Sequence, residues 1–596
     1  MPVTTRRVRR ALLSATLAAA VASAVAAPAW AASPGDEGSS TTPTSTGAVS
    51  PGSGPLSVSV LMPVIVPPTT TGLIPADDLE RYTDDFGLLT RQLDAVIGTP
   101  ATIGVDPMIL VSIRVLGTSA PESALQWLQR LESVPNEVFT LAYADADIIS
   151  AVRTSTLADV TPSGFDFALD PGDFVPAETP EPTEPTDEPS DEPSDGTTPA
   201  ANDPSSTPTP SDDPGADQNT DADGNPIYPT TEQLLAWTST LPSIAWPGDE
   251  MVAARDLDAL ADAGYADVVV TSSAVGDPDA PLVTLDGIDG IVVDGAISQL
   301  LRTAADTLTL ADRTDALTEL QSALASARRA SPGRGIVLSL AREWPYATSS
   351  LPEALAAIES SDDAQLVPLA DILDTTAVSA TLQDSSDDSD REAVFTELAS
   401  DADAETTFSS VLSDPSALLD PRRLERIALY SVGWSANDEE WADAVAEFRD
   451  RSADIVSSVR IEQGSDVLQL ARSSGFRVSV SNSLDLPVTV TVSIDPQGPL
   501  LQSDGPVDLT VEPGATATAN FPVEAVANGE VLVLTAVSSP TGVPLDSGFA
   551  RVTVRAEWEN IGTALVIGFI ALVFGGGIVR LVVVRRRAAA EGRTDD

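Results

Sequence analysis

Residues 267–271 read Asp-Val-Val-Val-Thr, and residues 290–294 read Gly-Ile-Val-Val-Asp. Neither run alternates apolar with polar residues. A strand exposed on one face alternates, whereas a parallel strand covered on both faces reads as a continuous β-branched run. Working outward, similar short runs predict strands at 56–66, 102–105, 138–143, 243–246, 335–340 and 365–369. Amphipathic patterns at 123–131, 253–263 and 313–329 predict helices between them. Eight strands with intervening helices predict a (β/α) barrel-like α/β domain over 56–170 and 225–375. An open doubly wound sheet is the rival, but no G-x-G-x-x-G follows a strand.

The barrel pattern is interrupted. Residues 171–224 contain ETPEPTEPTDEPSDEPSD and no basic residue. Such a Pro/Thr-rich acidic insertion cannot bury enough apolar surface to offset its ordering entropy, so disorder is expected there. Helical patterns, including 420–431 and 437–459, fill 376–472. The period then changes to two, in stretches such as Phe476–Val480 and Leu486–Val492. Six or seven such strands over 473–556 predict an all-β Ig-like sandwich.

Both ends of the chain address it to a membrane. Arg6, Arg7, Arg9 and Arg10 precede an Ala-rich apolar run, and Ala29-Trp30-Ala31 offers small residues for cleavage. Residues 1–31 therefore read as a signal peptide, exported by either the general or the twin-arginine route, with a tether over 32–55. Residues 561–584 read as a single C-terminal transmembrane helix. Its uncharged part, Ile561 to Val579, would reach about 28 Å, the thickness of a bilayer's hydrocarbon core. Arg585, Arg586 and Arg587 open the tail 585–596 and place it in the cytoplasm, leaving the bulk of the chain outside a cell membrane crossed once.

Composition narrows the chemistry. The chain of 596 residues has no His, no Cys and, letter by letter, no Lys; its formal net charge is −57. Ser-His-Asp and Cys-His nucleophiles, His/Cys zinc sites and Schiff-base lysines are excluded. No metal or cofactor is expected. So large a negative charge argues against nucleic acid as a partner.

Barrel chemistry sits at the C-terminal ends of strands. Those ends carry Asp106, Tyr143, Asp145 and Asp147, then Trp246, Asp249 and Glu250, then Asp294, and finally Glu343, Trp344 and Tyr346. Aromatic faces stack on sugars, and a pair of carboxylates can hydrolyse a glycosidic bond. Asp145, Asp249, Glu250 and Glu343 are the catalytic candidates. Asp106, Tyr143, Asp147, Trp246, Asp294, Trp344 and Tyr346 are the binding candidates. Three readings stand open: helix capping and rim packing, glycan binding, and carboxylate-dependent glycoside hydrolysis of an envelope polysaccharide. The cluster Arg422-Arg423-x-x-Arg426 offers either a phosphate site or helix-face salt bridges.

The layout as a whole, with N-S-L-D-L-P-V-T-V-T-V at 482–492 and V-E-P-G-A-T-A at 511–517, resembles an uncharacterised family of actinobacterial single-pass envelope proteins. The genes of that family tend to lie beside the gene for a lipid II flippase. The resemblance implies a cell-envelope role and supplies no catalytic residue; the partner expected for the barrel is cell-wall glycan or an envelope protein. The expected protein is anchored and extracytoplasmic, and binds without catalysis.

Overall fold

The computed structural model describes residues 54–174, 228–239, 241–248, 251–276, 278–342, 350–383, 389–462, 467–469, 473–554 and 558–591. The signal peptide, nearly all of the tether and the acidic insertion, and the last five residues lie outside them.

Ten strands build the first sheet: β1 (Leu56–Val64), β2 (Thr102–Val105), β3 (Val138–Thr140), β4 (Ile244–Ala245), β5 (Asp267–Thr271), β6 (Leu282–Leu285), β7 (Ile288–Val293), β8 (Gly335–Ser339), β9 (Ala364–Leu366) and β10 (Val378–Ser379). Parallel pairing runs β3-β2-β1-β8-β7-β5-β4, so seven strands follow one another around a barrel in chain order and β8 returns to β1. β1 is the hub, buried along nearly its whole length and paired with β8 from Ser57↔Gly335 to Leu61↔Ser339. The ring is not closed by backbone: among the described residues no ladder joins β3 to β4. Side chains bridge that breach, with the rings of Phe139 and Trp246 6.2 Å apart and Ser239 Oγ donating to the Val138 carbonyl at 2.9 Å. Residues 175–227 connect the two sides of the breach in sequence.

Two departures from the sequence reading are local. β6 forms an antiparallel hairpin with β7 through Asp286-Gly287, where Gly287 takes φ +103°. β9 and β10 are short and pair with β1 and β6. The lumen is filled: Leu61, Phe139, Ile244, Val269, Ile291 and Val337, from six different strands, join one apolar cluster.

The helices Ser389–Phe408, Ser416–Leu429 and Asp438–Val456 follow. Phe395, Leu398, Ile427, Tyr430 and Phe448 share one apolar core with Val60, Ile109 and Trp127 of the barrel, so the helices pack directly onto it. Phe408, Val411 and Leu418 turn the other way, into the core of the next layer.

That layer is a sandwich of nine strands: β11 (Val459–Glu462), β12 (Val467–Gln469), β13 (Ser473–Asn482), β14 (Val488–Pro496), β15 (Leu501–Ser503), β16 (Val507–Val511), β17 (Thr516–Ala525), β18 (Gly529–Ser538) and β19 (Pro544–Val554). One sheet runs β11-β13-β17-β15 and the other β12-β19-β18-β14-β16. Val488, Val490 and Val492 are buried while the threonines between them are not, as period-two patterning requires. Nine strands exceed the expected six or seven because β11, β12 and β15 are four residues or fewer, too short to leave a periodic signal. The chain ends in the helix Trp558–Glu591, of which Gly562–Arg587 is long and apolar enough to cross a membrane.

Candidate functional site

A cavity of about 730 Å³ opens at the C-terminal ends of the barrel strands. Ile65–Pro68 after β1, Trp246 and Gly248 after β4, and Leu340–Arg342 after β8 supply the barrel side. Arg391, Val432 and Trp441 of the helical layer close the other side. The cavity is therefore a product of the helices docking onto the barrel mouth.

Trp246 is buried, and its faces are largely taken. Phe139 lies on one flank, and the Arg342 guanidinium stands 5.3 Å from the ring centroid. Arg342 also donates to the main-chain oxygens of Trp246 and of Pro247 (3.2 Å), and through Nε to Asp145 Oδ2 at 2.6 Å. Asp145 sits in a turn where Ala144 and Asp145 both take left-handed backbone, φ +54° and +48°. Each such non-glycine residue costs roughly 1–2 kcal/mol, and the strain aims the carboxylate at Arg342. Burial raises the Asp145 pKa, and the Arg342 charge opposes that shift.

The other sequence candidates take their places as follows. Asp106 is buried and accepts N–H groups from Met108 and Ala144, both at 2.8 Å, capping the helix Pro107–Arg114. Burial pushes its pKa up to about 8. Tyr143 lies in the core, its ring 6.1 Å from Phe165 and its hydroxyl donating to the Gly72 carbonyl at 2.7 Å, and offers no free face. Asp147 lines the cavity with every lone pair occupied. Ile149 and Ser150 N–H groups reach Oδ1, while the Ser150 hydroxyl (2.6 Å) and Arg391 Nε (3.0 Å) reach Oδ2. Asp294 caps the helix Gly295–Ala305 and is not part of the cavity. Asp249, Glu250, Glu343, Trp344 and Tyr346 lie outside the described residues.

Residues that the sequence reading passed over do much of the construction. Arg391 is sandwiched by Phe395 and Trp441, 5.5 and 5.0 Å from their centroids, while it holds Asp147 and the Tyr430 and Ser431 carbonyls. Trp441 is half-buried, donates to the Leu429 carbonyl at 2.9 Å, and lines the cavity. Asp390 and Asp438 stand exposed on its edge. No periodic pattern links these residues to the barrel, because Arg391 and Asp147 are 244 positions apart. The Arg422 cluster forms salt bridges, but mostly away from its own helix. Arg422 binds Glu405 at 2.9 Å, and Arg423 and Arg426 face Asp159 at 3.9 and 3.6 Å; only Arg422–Glu425 is a neighbour on the same helix.

The arrangement offers the half-buried indole of Trp441, guanidinium groups, two inner carboxylates engaged by arginine and two exposed carboxylates on the edge. A family described as "Family of unknown function (DUF6049)" matches residues 26–591. The chain belongs to that family. The match spans the barrel, the helices, the sandwich and the apolar helix together. No curated protein matches the chain. Among solved structures, the α-amylase AmyC from Thermotoga maritima is similar at 11% identity and TM-score 0.40, over 67% of this chain and 93% of that one. A Salmonella α-2-macroglobulin is similar over 17% of this chain and only 7% of its own length, at 25% identity and TM-score 0.14. WR4, an MSP family member from C. elegans, is similar over 17% of this chain and 99% of its own, at 7% identity and TM-score 0.14.

Proposed function

We propose that this protein is an extracytoplasmic envelope protein, held by one membrane span, that binds cell-wall glycan in the barrel-mouth cavity without cleaving it. The observation that carries the reading is the half-buried Trp441 in the cavity wall. Of the acids, Asp147 in the wall is paired with Arg391 and the buried Asp145 beside it with Arg342, which leaves Asp390 and Asp438 on the exposed edge. Hydrolysis needs one carboxyl held protonated and a second one ionised, roughly 5–9.5 Å from it. Binding needs an aromatic face and hydrogen-bonding rims. An envelope protein partner fits the same anchored layout, and its capture in place of glycan is an outcome of the test.

A hydrolytic reading draws on Asp390 and Asp438 at the cavity edge, with Asp249, Glu250 and Glu343 in the flanking sequence. One experiment separates the two. Full-length protein in detergent is incubated with purified cell wall, and both retention and released reducing ends are measured. Trp441→Ala is expected to weaken retention at least tenfold, with Asp145→Asn and Glu250→Gln changing it little and no reducing ends released. Release that disappears in Glu250→Gln would establish the hydrolase instead. Retention that survives Trp441→Ala would remove the cavity from the reading.

A further inference from the structure

The exposed large apolar side chains of the sandwich gather on one side. Among its described residues they are Val526 (48% exposed), Leu532 (42%) and Phe549 (68%). Val526 lies in the turn between β17 and β18. Leu532 faces outward from β18 between the buried Val531 and Val533, and Phe549 stands on the outer face of β19, opposite Leu534. Leu532 and Phe549 are therefore diagonal neighbours on one sheet face. The Val526 N–H donates to the Leu500 carbonyl (2.9 Å), and the Gln497 N–H to the Leu532 carbonyl (2.8 Å). Residues 496–500 and 525–529 thus make one rim beside that face, and none of them is charged.

From this rim the chain leaves for the apolar helix. Gly529 pairs with Val554, the last residue of β19, and the helix starts at Trp558. Four Cα steps span at most about 14 Å. Trp558 precedes Gly562, where the membrane-length stretch begins. That helical turn rises about 6 Å, roughly the depth of a headgroup layer. The strand end is thereby tethered within about 14 Å of a bilayer surface. Phe549 lies about 17 Å back along the strand, so it meets lipid when β19 lies along the bilayer and not when it stands upright.

The surroundings say which partner fits. Three part-exposed side chains fall well short of the roughly 800 Å² per partner that a stable protein interface buries. A bilayer needs no complementary shape and takes up apolar side chains one by one. The tether makes the contact intramolecular, so a weak attraction suffices. Nearby charges are engaged, Glu530 with Arg551 (3.5 Å) and Asp495 with the Gln497 amide (2.8 Å). A chain of net charge −57 gains nothing from anionic headgroups.

We infer that this face is a membrane-docking surface, on which Val526, Leu532 and Phe549 seat the sandwich on its side in the headgroup layer by apolar insertion. The inference rests on the reading of the helix as a membrane span. The chain has no cysteine, so a single introduced cysteine takes a nitroxide label at one site. Full-length protein is reconstituted in phosphatidylcholine vesicles, and the label's accessibility to oxygen relative to a water-soluble nickel complex reads its depth. Labels at Val526→Cys, Leu532→Cys and Phe549→Cys are expected to give a ratio at least about threefold above Thr518→Cys, on the exposed face of the opposite sheet. Adding Phe549→Asp is expected to lower the ratio at Leu532→Cys at least about twofold. Ile570→Cys, within the helix, tests the span by itself. A water-like ratio there removes the span and this inference with it. A lipid-like ratio there with a water-like one at Phe549→Cys overturns the docking alone. Spin–spin broadening between copies without oxygen preference would make the face a contact with a second copy and overturn it too. Depth that appears only with phosphatidylglycerol and vanishes in high salt would overturn insertion in favour of charge.

Discussion

Asp106 couples the barrel's interior to solution pH. It is 1% exposed, and burial lifts its pKa from 3.8 to about 8, with the nearby Asp145 carboxylate adding to the rise. The folded state therefore holds a proton that the unfolded chain has released between about pH 4 and pH 8. Linkage then makes stability fall as pH rises through that window, with no contribution from this group below it. Asp267, lifted to about 6 by burial and by Asp289 beside it, acts in the same sense over a narrower range. Asp106→Asn keeps one oxygen for the Met108 and Ala144 N–H groups but has no proton to lose. Thermal midpoints measured from pH 4 to 8 are expected to fall more steeply for the wild type than for Asp106→Asn. Parallel curves would show that Asp106 is charged throughout. At this scale the sequence told that acids stand at strand ends, and Asp106, Asp147 and Asp294 do cap helices. It could not tell that Asp145 would meet Arg342, because contact order, not local pattern, brings together residues 197 positions apart.

At the level of elements, strands announced themselves where burial is two-sided or alternation is long. β2 and β5 start and stop where their sequence runs do. β6 stands outside the strands predicted from sequence although its turn, Asp286-Gly287, is a strong hairpin signal, because four residues are too few to set an alternation against the continuous run that follows. In the sandwich, the two segments quoted from the sequence are joined through one amide. Asn482 Nδ2 donates to the carbonyls of Leu486 (2.8 Å), Val511 and Glu512 (both 3.2 Å), and its Oδ1 accepts from Leu484. It ties the 482–492 stretch to the 511–517 turn. Asn482→Ala leaves these buried carbonyls short of a donor and is expected to destabilise the sandwich by about 2–3 kcal/mol. Faster amide hydrogen exchange confined to 473–554 would register it. Unchanged exchange would show that solvent replaces the amide.

On the scale of the whole molecule, the expected order of layers is present: barrel, helices, sandwich and one apolar helix. What the sequence did not disclose is that the helical layer forms the wall of the barrel-mouth cavity and shares its core. Helix periodicity reports which face is apolar and says nothing about which surface will cover it. The breach between β3 and β4 has a consequence for chain continuity. The chain leaves one side of it and returns on the other after 175–227, yet the halves stay joined by the β1–β8 ladder, Asp145–Arg342, Asp147–Arg391 and Arg153–Asp256. A specific protease site engineered near Asp203 should then sever the backbone without separating the pieces, and co-purification after cleavage is the readout. Fragments that drift apart would mean the covalent link is required. If they hold, the two segments can be expressed from separate genes and reassembled, making this barrel a split protein whose complementation reports on its own assembly.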